Sequence, residues 1–247
     1  MLYAKFKKDG KVYREFFRTF SDLHRATFSP DIEVEYVKKH ASNKSLQEFG
    51  FCTAHGGKMS GILSISTSPT LNTRCAARAK NPESVCHECY SCAMMKYRKT
   101  LNRKLMRNTV KLTSGLIDEK DIPFINPILW PLVRFESFGD LINETQVKNF
   151  FAIADCNPQC NFALWTKTPD IVASAIGSGA VKPANLIIVI SSDQLNVETS
   201  IDRWPFADKV FTVYDNDHEI NCGARSCATC RKCYYNNGIV HLYEKLK

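Results

Sequence analysis

The first 18 residues alternate apolar and polar positions around Asp9-Gly10, with Tyr3, Phe6, Val12 and Tyr13 flanking the pair. An Asp-Gly dipeptide between alternating runs predicts a β-hairpin. Residues 19–50 are polar and mixed, with weak helical character. From residue 60 the rhythm changes. Short apolar runs at 61–66 (GILSIS), 132–137 (LVRFES), 162–167 (FALWTK), 185–191 (NLIIVIS) and 209–214 (KVFTVY) predict strands. Helical periods lie between several of them, most clearly at 90–108, 145–155 and 169–177. Strands alternating with helices predict βα units on a parallel sheet. One domain is expected over 1–247, with a hairpin and mixed segment (1–50), a βα core (55–215) and a cysteine-rich C-terminal segment (216–247).

Each predicted strand ends in polar or small residues: Ser64 and Ser66, Glu136 and Ser137, Thr166 and Lys167, Ser191 and Ser192, Tyr214 and Asp215. In parallel α/β folds, ligands bind at the carboxyl ends of strands. Glu136, Asp140, Thr166, Lys167, Ser191 and Asp215 are therefore the candidates for a small-ligand site.

Composition sharpens the picture at two points. A 247-residue domain with 44% hydrophobic residues needs no covalent staples, yet it carries 11 cysteines. The opening MLYAKFKKDGKVYREFF has no apolar signal core, and the best apolar run, Leu186 to Ile190, is far short of the roughly 20 residues of a membrane span. A cytosolic, reducing setting is expected, which favours metal or redox chemistry over disulfides. The second excess is a formal net charge of +8, which points to an anionic partner, most simply nucleic acid.

Eight cysteines fall into two sets. Cys75, Cys86, Cys89 and Cys92 are spaced C-x10-C-x2-C-x2-C; Cys222, Cys227, Cys230 and Cys233 are spaced C-x4-C-x2-C-x2-C. Two residues between thiolates let one turn aim both sulfurs at one centre, and three or four thiolates bind zinc or an iron–sulfur cluster. Packing four thiolates into 12 residues suits a [4Fe-4S] loop better than the separated knuckles of structural zinc. One or two clusters are expected. The first set holds an open iron if only three thiolates bind, and a closed one if Cys92 is the fourth. Arg225, Arg231 and Lys232 flank the second set and would offset its charge. Cys52, Cys156 and Cys160 read as ordinary buried thiols, and His55 and His87 as neighbours of the cysteines rather than ligands.

No acidic residue occurs between Cys89 and Asp118, a span that holds Lys96, Arg98, Lys99, Arg103, Lys104, Arg107 and Lys111. Helical spacing aligns Lys96, Lys99, Arg103 and Arg107 in one stripe and turns Met94, Tyr97, Leu101 and Leu105 inward. Such a stripe can neutralise phosphates. Lys5, Lys7, Lys8, Lys11 and Arg14 of the hairpin would extend it, with Tyr13, Phe16 and Phe17 as stacking surfaces or core.

Several segments in order resemble one family: KMSGILSISTSPTLN, Cys75, CHECYS, RFESFGDLIN, NPQCNFALWTK and the C-terminal cysteine cluster. Over roughly residues 55–240 the chain resembles the phage "gene product eighty-eight" family of mobile elements. Where that family shows CYA, this chain has Cys89-Tyr90-Ser91, and Cys92 is an addition. The family in turn is similar to radical S-adenosylmethionine proteins. That resemblance implies a partial or distorted (β/α) TIM-like barrel, with Cys75, Cys86 and Cys89 matching the cluster-binding cysteines. The chain departs from their C-x3-C-x2-C signature, since ten residues separate Cys75 from Cys86. The expected function is an iron–sulfur protein that binds nucleic acid beside its cluster. A radical S-adenosylmethionine-type enzyme comes second and an electron carrier serving a reductant protein third.

Overall fold

The structure is a computed structural model that describes residues 2–17, 20–27, 29, 31–39, 49–54 and 56–246. Strands β1 (Leu2–Lys8) and β2 (Lys11–Phe17) form the expected hairpin, in register from Leu2↔Phe17 to Lys8↔Lys11. Asp9 and Gly10 both take positive φ, at 51° and 72°, the turn geometry that matches the twist of paired strands. Helix α1 (Phe20–Thr27) and strand β3 (Glu33–Lys39) follow, and β3 adds to the other side of β1. The mixed segment therefore completes a three-stranded sheet of order β2-β1-β3. Residues 19, 28, 30 and 40–48 of that segment, with residue 18 and His55, lie outside the described residues.

The core is a seven-stranded sheet whose order follows the chain: β4 (Cys52–Thr53), β5 (Leu63–Ile65), β6 (Leu132–Phe135), β7 (Asn161–Thr166), β8 (Leu186–Ser191), β9 (Lys209–Tyr214) and β10 (His241–Lys245). Every pair from β5 to β10 is parallel, and β4 is antiparallel to β5. Helices α2 (Thr73–Arg78), α3 (Tyr90–Tyr97) and α4 (Lys99–Thr113) lie between β5 and β6; α5 (Glu144–Asp155) and α6 (Pro169–Gly177) fill the next two crossovers. Asn143 caps α5 by accepting from Gln146 N, and Pro169 opens α6 where its missing N–H costs nothing. The expected parallel α/β core is present. The recorded pairings form an open series, and none among the described residues joins β10 to β4.

The strands' period of two divides the core into two faces. Leu63, Ile65, Val133, Phe135, Phe162, Leu164, Leu186 and Ile188 face α4, α5 and α6 in the main core. Phe135 stacks on Phe150 of α5 and on Phe162, with ring centroids 4.3 and 5.0 Å apart. The other face carries Leu132, Ala163, Trp165, Ile187, Val189, Phe211 and Leu242. Among the described residues no long helix covers it. The C-terminal segment does, through Cys222, Cys227, Ala228, Cys233 and Tyr234.

The expected helix over 90–108 is two helices. Arg98 (φ −95°, ψ 70°) ends α3 and starts α4, so the helical register is reset there. Tyr97, expected inward, is 84% exposed; Met95, Leu105 and Leu112 take the buried positions.

Candidate functional site

Two thiol-bearing regions stand on different parts of the sheet. The first lies beyond the carboxyl end of β5. Asn72 caps α2, accepting from Arg74 N (2.9 Å) and Cys75 N (3.3 Å), while its amide donates to Asp140 O and Leu141 O. The cap thus sets Cys75 against the loop after β6. Burial pushes the Cys75 thiol up, with the charges of Asp140 and Glu136 adding and Arg78 opposing. Cys75 also feels Cys86, and Cys92 is raised to about 11 by burial and by the neighbouring Cys89 and Cys86. The loop bearing Cys86 is tied to the β8 exit, with Val85 N donating to Asp193 O at 2.8 Å.

The strand ends beside this set form a buried polar network. Glu136 is buried and held at φ 58°, and it accepts from Thr67 N, Thr67 Oγ1 (2.9 Å) and Gln146 Nε2 (2.6 Å). Its burial raises it to about 8 against those donors. Asp140 accepts from Arg78 Nη1 (2.9 Å), Thr166 Oγ1 (2.6 Å), Thr168 Oγ1 (3.2 Å) and Lys167 N. Arg78 Nη2 donates to Lys167 O (2.6 Å), and Lys167 Nζ donates to Ser191 Oγ (2.8 Å). Five of the six expected strand-end residues therefore share one network. Asp215 stands apart on the surface, accepting from Asn196 Nδ2. Arg78, the hub of the network, carries no signal in a single sequence beyond standing three residues after a cysteine.

The second region is a cavity lined by all four C-terminal thiols, Cys222, Cys227, Cys230 and Cys233, with Lys58 and Tyr234. Ser226 caps the short helix α7 (Cys227–Cys230) by accepting from Thr229 N, and Arg231 ends it in the left-handed conformation at φ 58°. Cys227 N donates to Lys58 O at 2.7 Å, and Cys222 N to Tyr243 O of β10 at 2.9 Å. Lys58 Nζ donates to Cys222 O (2.8 Å) and to Glu244, 3.9 Å from Cys222 Sγ. Burial raises all three of Cys222, Cys227 and Cys233, the last to about 12, while Arg134 opposes the shift at Cys227 and Cys233. The donor set, four thiols around one cavity beside Lys58 and Arg134, fits a tetrathiolate-held centre in its chemistry. Among the described residues, however, no three His, Cys, Asp or Glu side chains stand in a ready metal-holding arrangement.

The remaining cysteines lie away from both sets. Cys156 and Cys160 are buried in the helix-side core, and burial raises Cys52. His87 is exposed beside Glu88.

The basic residues divide. Lys96, Arg98, Lys99, Arg103 and Arg107 are exposed, and no ion pair holds them among the described residues. Lys104 is spent within the fold, donating to Phe51 O at 3.1 Å, and Lys111 lies over the Phe49 ring at 5.3 Å. The hairpin cations divide too: Lys8 and Lys11 are exposed, while Lys5 and Arg14 are engaged within the fold. Lys5 pairs with Glu35 and Glu119, and Arg14 with Glu119 and Asp155, because these side chains fasten the small sheet to the core. Tyr13 stacks on Phe6, and Phe16 packs on Tyr3 and Phe124, so neither is a free platform.

No helix among the described residues is long and apolar enough to cross a membrane. No curated protein and no solved structure matches the chain. The family model described as "Gene product 88" matches residues 35–247, spanning both thiol regions and the whole seven-stranded sheet, and the chain belongs to that family.

Proposed function

We propose that this is an iron–sulfur protein whose C-terminal thiols hold one [4Fe-4S] centre and whose first thiol set holds a second, beside a surface that binds nucleic acid. The observation that carries the reading is the single cavity lined by Cys222, Cys227, Cys230 and Cys233. Bound there, such a centre would supply electron transfer or a structural clasp; zinc would supply only the clasp. The anionic-partner half rests on Lys99, Arg103 and Arg107, which recur every four residues along α4 and are exposed. Tyr97, exposed at the end of α3 between Lys96 and Arg98, adds a face on which a base can stack.

Anaerobic purification with iron, sulfide and zinc counted per chain tests the first half. About four irons mark one cubane and about eight mark two. Zinc without sulfide replaces the cluster by a structural ion, and no metal in a chain with all eight thiols free to alkylate overturns the centre. A titration with short DNA and RNA at low and raised salt tests the second half. Salt-sensitive binding supports it, and none at low salt overturns it.

A second reading is a radical S-adenosylmethionine-type enzyme. It is favoured by Cys75, Cys86 and Cys89 following β5 and by the sequential parallel strands, the order of an open partial (β/α) barrel. It ranks second because Glu136, Asp140, Thr166 and Lys167 are engaged with one another rather than presented to a ligand. Release of 5′-deoxyadenosine from S-adenosylmethionine by the reduced protein would reverse the ranking.

A further inference from the structure

Arg134 sits on β6, on the face covered by the C-terminal segment rather than by helices. Its guanidinium lies 4.1 Å over the Trp165 ring, and Nη1 is 3.7 Å from Met59 Sδ. No carboxylate pairs with it among the described residues. Its Nε and the indole Nε1 of Trp165 are both buried without a hydrogen-bond partner. Cys227, Ala228 and Cys233 pack against this same patch, and the thiols of Cys227 and Cys233 feel the Arg134 charge. A half-buried cation without an anion, its Nε–H enclosed and unused with a second unused N–H beside it, is unfavourable on its own. Four thiolates around a zinc ion or a [4Fe-4S] core in its usual oxidised state leave a net negative charge, which a buried cation would offset. Lys58 is shared with Glu244, so it offsets less of that charge.

We infer that Arg134, held flat by Trp165, is the counter-cation of the C-terminal thiolate set and donates a hydrogen bond to one of its sulfurs. The inference rests on the metal reading of that set. As each sulfur–metal bond forms, an S–H bond gives up its proton to solvent, and Arg134 compensates the charge left behind. Arg134 is a positioning residue that ligates nothing itself.

The test uses the full chain with Cys75, Cys86, Cys89 and Cys92 replaced by serine, so that of the two sets only the C-terminal one reports. Cobalt(II) is titrated into the metal-stripped protein, following thiolate-to-cobalt absorption, and zinc affinity is read by chelator competition. Arg134→Gln should weaken binding by roughly 10–100-fold, the usual effect of losing an outer partner of a metal ligand. Arg134→Lys should recover part of the loss. The metal-free Arg134→Gln protein should melt no lower than its parent, because a half-buried cation with an enclosed, unsatisfied Nε–H has gone. Equal affinity in Arg134→Gln and the parent overturns the inference, and so does a loss of affinity matched by a lower melting point without metal. A parent that binds neither metal overturns the metal reading itself. Should Arg134→Gln not fold, Arg134→Lys against Trp165→Phe decides. A weaker site in Trp165→Phe, which frees the guanidinium, supports the role, and unchanged binding in both variants overturns it.

Discussion

Arg78 Nη1 stands 2.9 Å from Asp140 Oδ2, and this pair joins the helix that carries Cys75 to the loop that leaves β6. Both side chains are largely shielded, at 16% and 7% exposure. Removing Asp140 leaves Arg78 with only the longer contact to the half-exposed Asp193, 3.7 Å from its Nε, and removing Arg78 leaves the Asp140 carboxylate buried without its cation. Asp140→Ala should therefore cost about 3–5 kcal/mol, measured by denaturant unfolding. The same change in an Arg78→Ala background should cost markedly less. Equal costs in the two backgrounds would show that the pair is not coupled.

Glu136 sets a pH dependence of opposite sign to that of an ordinary surface carboxylate. Burial raises it from the usual 4.5 to about 8 in the folded chain. Between those values the folded state holds a proton that the unfolded state has released. Its contribution to stability is thus complete below about pH 4.5 and declines as pH rises through about 8. Glu136→Gln keeps the shape without the titration. Its melting temperature should fall less than the parent's between pH 5 and pH 8, and parallel curves would refute the assignment.

Gly139 stands where no side chain fits. A Cβ there would lie 2.4 Å from Thr67 Oγ1 and 2.6 Å from Thr67 O, within the network that holds Glu136. Because the second of these is backbone, the clash cannot be relieved by a rotamer change. Gly139→Ala should destabilise by about 1–3 kcal/mol. A melting point within a degree of the parent's would show that the loop yields freely.

The α4 lysines and arginines should separate into two behaviours. Arg103→Ala and Arg107→Ala should each reduce the salt slope of nucleic-acid binding by up to about 0.9, with little change in stability. Lys104→Ala should lower stability instead, because its amine holds Phe51 O, and should leave the slope nearly unchanged. Fluorescence anisotropy over a salt series, with a thermal melt of each variant, reads both. Identical slopes for all three variants would remove α4 from the interface.

Legibility in the sequence followed the range of the interaction responsible. Strand β9 at Lys209–Tyr214 and helix α6 at Pro169–Gly177 stand where the apolar pattern and the proline at the helix start place them. Both are decided by neighbours along the chain. Strand β10 was not legible, because HLYEK is short and polar and becomes a strand only by pairing with β9. The break at Arg98 has no local mark either, being at neither glycine nor proline. Cysteine spacing divides eight of the thiols into two sets along the chain. It was silent about Arg134 and Trp165, whose relation to Cys227 and Cys233 depends on which face of the sheet the C-terminal segment covers.

Cys222 has a second position of consequence. Its N–H donates to Tyr243 O, and the Asn221 side chain bonds to Tyr243 N and His241 O, so the outer edge of β10 is already occupied. An uncovered edge strand recruits strands from other molecules. Whatever loosens the thiol set would free Asn221 and Cys222 along with it and uncover that edge. A chain oxidised or alkylated at these sulfurs should then self-associate through β10. In this protein, loss of the cysteine cluster and the onset of aggregation would be one event.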